Sequence, residues 1–156
     1  MDDRAYLMQA VKKAQETMHR NLGGPFGALL VDAQGEVFVS SNTVLGSHDP
    51  TAHAEVNVIR QACKQKGTHD LQGCILYTTC YPCPMCLSAC IWANIKEVYY
   101  GCTAQDAEAI GFRDDFIYRY INEGCDDPSV LTLKQSDRSA CLVLFEEYAA
   151  LNKALY

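Results

Sequence analysis

The first part of the chain shows apolar residues at helical spacing, at Leu7, Val11, Ala14, Met18 and Leu22. This spacing predicts an amphipathic helix over residues 4–22, because every third or fourth residue lies on one helix face. The run Gly23-Gly24-Pro25 should end that helix. Two apolar runs follow and predict strands over residues 26–31 and 37–41, joined as a hairpin by the turn residues 32–35.

Helical and strand patterns alternate along the rest of the chain. Helices are predicted over residues 50–66, 84–94, 114–121 and 140–155, and strands over residues 75–79, 98–100 and 130–133. Alternation of this kind is typical of α/β proteins, in which helices cover the faces of a sheet. No internal repeat or linker interrupts it, so we predict one domain over residues 1–156.

Composition and charge narrow the function classes. No apolar run approaches the roughly 20 residues of a membrane helix, and the acidic start of the chain is not typical of a signal peptide. The formal net charge is −6 and no basic run is present, which favours a small neutral substrate over nucleic acid. The nine cysteines are best explained as reduced thiols in the cytoplasm.

Two short motifs carry the candidate chemistry: His53-Ala54-Glu55 and, further along, Pro82-Cys83-Pro84-Met85-Cys86. They supply one imidazole, two thiolates and a carboxylate, which is the set that a catalytic zinc site needs. We predict that His53, Cys83 and Cys86 bind one Zn²⁺ and that Glu55 stays unligated as a general acid and base. His53 and Glu55 point in nearly opposite directions on a regular helix, so they can share a site only at its end.

Two other interpretations of these residues remain open. The zinc could be structural, in an interaction module without activity. The cysteines at positions 80, 83, 86 and 90 also match the spacing of bacterial ferredoxins, which would indicate an iron–sulfur cluster. The proline that usually follows the last of these cysteines is replaced by Ile91. A free carboxylate such as Glu55 would serve no purpose in a structural zinc site.

The chain resembles the cytidine deaminase superfamily at three blocks, residues 23–28, 49–55 and 83–86. Within that superfamily it is most similar to the bacterial guanine deaminases, through the segment from Gly111 to Tyr118 and a terminal Tyr156. Many relatives have a glutamate immediately before the Pro-Cys pair, whereas this chain has Tyr81. The tRNA adenosine deaminases share the last two blocks. They are the main alternatives, together with cytosine deaminases and deaminases of other aminated heterocycles.

The resemblance implies an α/β/α sandwich around a mixed sheet of five strands. It implies His53, Cys83 and Cys86 as zinc ligands, Glu55 as the proton shuttle, and deamination of guanine to xanthine as the reaction. Asp114 would assist proton transfer, and the substrate contacts would be Phe26, Asn42, the Ala54 backbone, Asp114 and Tyr156. The C-terminal segment, about residues 140–156, would be exchanged within a homodimer, so that Tyr156 completes the partner's site. From sequence alone, Asp114 is better explained as a helix N-cap.

Overall fold

The structure is a computed structural model that describes residues 2–156. It comprises two compact units, the first ending at Asp115 and the second running from Phe116 to Tyr156. The sequence-based expectation of one domain, with exchange of the C-terminal segment, stays a prediction. None of the helices in residues 2–156 combines the length and the apolar character that a membrane crossing requires.

The first unit contains a four-stranded mixed sheet of order β2-β1-β3-β4. Its strands are β1 (Gly27–Val31), β2 (Val37–Ser41), β3 (Ile75–Cys80) and β4 (Glu97–Cys102). Strand β1 is antiparallel to both β2 and β3, whereas β3 and β4 are parallel. The predicted β1–β2 hairpin is confirmed, and its turn is held by Asp32, whose side chain accepts the backbone N–H groups of Gln34 and Glu36.

Five helices lie entirely in the first unit: α1 (Asp3–His19), α2 (Val44–Ser47), α3 (Ala54–Lys66), α4 (Pro84–Trp92) and α5 (Ala104–Ala109). The predicted start of α3 at residue 50 is wrong, because a local turn occupies that place. The Asp49 carboxylate accepts both the N–H and the hydroxyl of Thr51 in this turn. The short helices α2 and α5 fall where the sequence pattern predicted only connections.

The layer order α/β/α is confirmed. Alternate residues of β1 point to opposite faces of the sheet, so Leu29 packs with α1 residues around Ala10. On the other face, Leu30 belongs to a larger core that includes Val58 of α3 and Cys90 of α4. Helices therefore cover both faces, and the sheet fixes where α3 and α4 begin.

The predicted fifth strand is wrong. In the described residues the sheet has four strands, and the segment 130–133 contributes only an isolated bridge between Asp127 and Leu131. Local bonds use its backbone groups instead, since the N–H groups of Val130 and Leu131 both donate to the Asp127 carbonyl. The remaining helices are α6 (Asp115–Asn122), which begins at the last residue of the first unit, and α7 (Arg138–Ala150).

Candidate active site

Two helix N-termini meet at one end of the sheet. His53 is the N-cap residue of α3 and Cys83 is the N-cap residue of α4. The His53 imidazole and the Cys83 sulfur face each other across the gap between the two helix starts. Pro84 occupies the first turn of α4, where its missing N–H costs no helical hydrogen bond. The starts of α3 and α4 thus bring the two sequence motifs together.

His53, Cys83 and Cys86 present their donor atoms to one another. The Nδ1 atom of His53 lies 3.5 Å from the Cys83 sulfur and 3.6 Å from the Cys86 sulfur. All three donor atoms fall within 4.8 Å of one another. Tetrahedral zinc with ordinary bond lengths to sulfur and imidazole nitrogen would separate such donors by about 3.6 Å. The donor set therefore fits a zinc ion both in geometry and in its soft chemistry.

The two thiols differ in acidity. A hydrogen bond from the Cys86 thiol, together with the neighbouring His53 imidazole, lowers the pKa of Cys83 to about 4. The Cys86 thiol keeps its proton, because donating to Cys83 and being buried both raise its pKa. The bond with Cys83 in turn raises the pKa of the His53 imidazole. Metal binding would replace the shared proton, since a coordinated thiol is deprotonated.

Glu55 lies beside the three donors without belonging to their group. Its carboxylate is 6 % exposed, and Oε1 accepts a hydrogen bond of 2.8 Å from the Thr78 hydroxyl. Burial raises the pKa of this carboxylate, while the hydrogen bonds that it accepts oppose the rise. A carboxylate in this position can accept and return a proton without being held by the metal.

The site opens into a cavity of about 510 Å³ in the first unit. Phe26, Asn42 and Asp114 line it together with His53, Glu55 and Cys83. Of the predicted site residues, Ala54, Cys86 and Tyr156 do not line the cavity. Ala54 and Cys86 are fully buried behind the cavity wall, and Tyr156 belongs to the second unit. Partial burial and the Cys83 thiolate raise the pKa of Asp114 above its usual value.

The amide of Asn42 has a defined orientation. Its oxygen accepts the backbone N–H groups of Gly24 at 3.3 Å and Val44 at 3.1 Å. The amide NH₂ is therefore the end of the side chain that can donate to a ligand in the cavity. Gly23 packs against this residue so closely that an added Cβ would come within 2.1 Å of the Asn42 carbonyl oxygen. A glycine is thus needed at position 23 for the loop after α1 to approach Asn42.

Three residues in or beside the site were missed or only partly anticipated from the sequence. Phe112 packs edge-on against Phe26, with ring centroids 5.1 Å apart, and only its place in the 111–118 segment indicated it. Tyr81 lines the cavity and packs edge-on against Tyr100. The role of Thr78, the partner of Glu55, could not be predicted from the sequence, because nothing in the strand pattern distinguishes this threonine from its neighbours.

The iron–sulfur interpretation is wrong. Cys80 donates its thiol to the Thr103 carbonyl, and Cys90 packs in the apolar core beneath α4. Within residues 2–156, Cys83 and Cys86 form their metal-ligand group with His53. A cluster of four cysteines therefore does not form.

Residues 1–102 match the family model described as the cytidine and deoxycytidylate deaminase zinc-binding region. The chain is 45% identical to guanine deaminase of Bacillus subtilis over 130 residues, which cover 83% of each chain. The crystal structure of guanine deaminase from Bacillus subtilis matches with a TM-score of 0.91 and 42% identity, covering 100% of this chain and 99% of that one. A tRNA-specific adenosine deaminase of Agrobacterium fabrum is 40% identical over 107 residues, 68% of each chain.

Proposed function

Because the chain belongs to the zinc-dependent cytidine and deoxycytidylate deaminase family, we propose that it hydrolyses guanine to xanthine and ammonia. The observation that carries this proposal is the unligated Glu55 carboxylate beside the three metal donors, at the wall of a cavity large enough for a base. A structural zinc site has no use for such a cavity or for such a carboxylate. The similarity to guanine deaminase of Bacillus subtilis over most of both chains supports guanine as the substrate.

His53, Cys83 and Cys86 hold the zinc ion in this proposal. Zinc, when bound, acts as a Lewis acid that lowers the pKa of water to about 7. Glu55 accepts the proton of the water that attacks C2 of guanine and delivers it to the ring nitrogen. It then helps to move a proton to the departing amino group, and ammonia leaves as the tetrahedral carbon collapses to xanthine. Asp114 lies in the same cavity and assists that last transfer.

The cavity walls hold the purine. Phe26, supported edge-on by Phe112, offers an apolar face for the ring. The NH₂ of Asn42 donates to a ring or carbonyl acceptor of the base, and the Ala54 backbone supplies a further contact. The proposed substrate is a free small purine rather than RNA, in line with the net charge of −6.

The experiment measures ammonia release from guanine, cytosine, adenine, their nucleosides and a tRNA anticodon hairpin, with zinc content determined on the same sample. We expect guanine to have the highest kcat/KM, and about one zinc per chain. Preference for the hairpin would replace the proposal by tRNA adenosine deamination, and preference for cytosine would replace it by cytosine deamination. Stoichiometric zinc without any ammonia release would indicate a structural metal module.

The Glu55→Gln variant tests the proton shuttle. Glutamine keeps the size of the side chain but cannot take up a proton, so we expect zinc binding near the wild-type level and a fall in kcat of about 10²- to 10⁴-fold. Metal analysis and steady-state kinetics on the same preparation check both parts. Turnover equal to the wild type would remove Glu55 from the mechanism.

We further propose a homodimer in which residues 140–156 are exchanged, so that Tyr156 closes the partner's cavity. The second unit supports this, because α7 and the residues after it expose large apolar side chains, among them Leu144, Phe145, Leu151 and Leu155. Exposed apolar surface of this kind is typical of an interface.

We also propose a cytoplasmic location, since zinc binding requires Cys83 and Cys86 to stay reduced.

A further inference from the structure

We propose that Thr78 is a positioning residue that orients the Glu55 carboxylate for proton transfer. This inference rests on the proposed deaminase function and adds a residue that neither motif contains. Thr78 lies on β3, outside the His53–Glu55 and Cys83–Cys86 blocks, and its hydroxyl donates to Glu55 Oε1 at 2.8 Å. Of the two carboxylate oxygens, one is therefore held by the sheet.

The position of Thr78 is fixed by the strands on both sides. It pairs with Ala28 of β1 and with Tyr100 of β4, and it is 1 % exposed. A strand with neighbours on both edges cannot shift without breaking two ladders of backbone hydrogen bonds. The hydroxyl thus acts as a rigid anchor for a carboxylate that extends from the first turn of a helix.

The Thr78 hydroxyl is a donor to Glu55 that lies outside the metal-ligand group. Glu55 also accepts hydrogen bonds from its own backbone N–H and from Cys86, which is itself a predicted metal ligand. Thr78 holds Oε1 from the neighbouring strand, so its bond does not depend on a residue of that group.

The same hydroxyl has a second acceptor within reach. The Cys80 carbonyl lies 3.2 Å from Thr78 Oγ1, so the single hydroxyl proton can go to Glu55 or to this carbonyl. When Glu55 carries a proton during turnover, Thr78 can accept from it while donating to Cys80. The hydroxyl therefore pairs with Glu55 both before and after the proton is taken up, which a purely donating side chain could not do.

Thr78 is absent from the lining of the cavity, so it should affect the chemical step and not substrate binding. We expect Thr78→Val, which keeps the shape but removes the hydroxyl, to lower kcat by about 10- to 100-fold with KM and zinc content unchanged. Thr78→Ser restores the hydroxyl and should recover most of the lost kcat. Thr78→Ala serves as a second variant without a hydroxyl should the valine variant fold poorly.

A matched control comes from the next residue of the same strand. Thr79 Oγ1 accepts the backbone N–H of Gly27 at 3.1 Å, and successive side chains of a strand point to opposite faces of the sheet. Thr79→Val removes a hydroxyl of the same kind, so it should reduce stability while kcat stays close to the wild-type value. This control separates the loss of a hydrogen bond in β3 from the loss of the bond to Glu55.

Kinetics on all variants use the heterocycle that the wild-type chain deaminates best, and they include thermal unfolding and zinc analysis. Wild-type kcat in both Thr78→Val and Thr78→Ala overturns the positioning role. The same holds if serine fails to restore kcat, or if kcat falls only in proportion to zinc content. A wild-type chain that deaminates none of the panel would instead defeat the proposed function itself, together with the role that depends on it.

Discussion

In the proposed function, the two ends of the Asn42 amide serve different purposes. Its oxygen joins the loop after α1 to the segment that begins α2, through the N–H groups of Gly24 and Val44. Its nitrogen would donate to the proposed substrate in the cavity that the residue lines. A hydrogen-bonding group at a fixed place discriminates strongly between bases, because a base without the matching atom leaves that group unpaired.

The two roles of Asn42 can be separated by substitution. Asn42→Asp keeps an oxygen for the two backbone N–H groups but loses the donor, so we expect near-normal thermal stability and a KM for guanine raised about tenfold or more. Asn42→Ala loses both functions and should lower the unfolding temperature as well. Kinetics and thermal unfolding of the pair measure this. A normal KM in the aspartate variant would mean that the amide NH₂ does not contact the base.

At the scale of elements, the sheet divides into two ends with different tasks. The metal donors, Asn42 and Phe26 gather where β1 begins and where β2 and β3 end. At the other end, Asp32 after β1 forms an ion pair with Lys66 in the last turn of α3, with 2.5 Å between Oδ2 and Nζ. This ion pair fastens the far end of the same helix that presents His53 and Glu55, and so limits how far α3 can tilt.

This ion pair predicts a pH dependence of stability. The hydrogen bond from Lys66 lowers the pKa of Asp32 below 3.8, so this carboxylate stabilises the fold above that pH and loses the effect as pH falls through its lowered value. The same bond raises the pKa of Lys66 above 10.5, so its contribution holds below that pH and is lost as pH rises through the raised value. Full stabilisation is thus expected between about pH 4 and 10.

Denaturant unfolding across this range compares the wild type with Asp32→Asn, which keeps the turn's backbone hydrogen bonds but removes the charge. We expect a lower free energy of unfolding in the variant near neutral pH, and a gap that narrows in acid and in strong base. Lys66→Met completes a double-mutant cycle that isolates the pair. A gap independent of pH would show that the pair does not contribute through its charges.

Much of this arrangement could be predicted from the sequence, and the exceptions have physical causes. Periodicity gave the four strands and the long helices, and motif spacing gave the metal donors, because both depend on local order along the chain. The start of α3 was missed because the Asp49 side chain builds a turn that competes with the helix. Thr78 could not be predicted, since its role depends on a strand and a helix meeting in space.

At the scale of the whole molecule, the exposed apolar side chains of the second unit need a covering surface. Phe145 is 75 % exposed and Tyr156 is 90 % exposed. A symmetric homodimer would cover such residues on two copies at once. If the exchanged segments also close the cavities, each site would be built from Glu55 of one copy and Tyr156 of the other.

Mixing two inactive variants tests this exchange. Glu55→Gln retains Tyr156, and a chain truncated before Tyr156 retains Glu55, so a mixed dimer would contain one intact site. After joint refolding we expect activity to return to about a quarter of the wild-type level per chain, since half of the dimers are mixed and half of their sites are intact. No recovery in mixed dimers, verified by differential tags, would mean that the tail does not act on the partner.

The hairpin turn between β1 and β2 is a suitable place to attach a label. Its residues Ala33, Gln34 and Gly35 are exposed. The turn lies at the end of β1 opposite to Phe26, so a fluorophore or an affinity tag attached to the side chain at position 34 would lie away from the cavity and leave the backbone hydrogen bonds to Asp32 in place. Sensors for purine turnover could be built on this loop while both helix starts remain untouched.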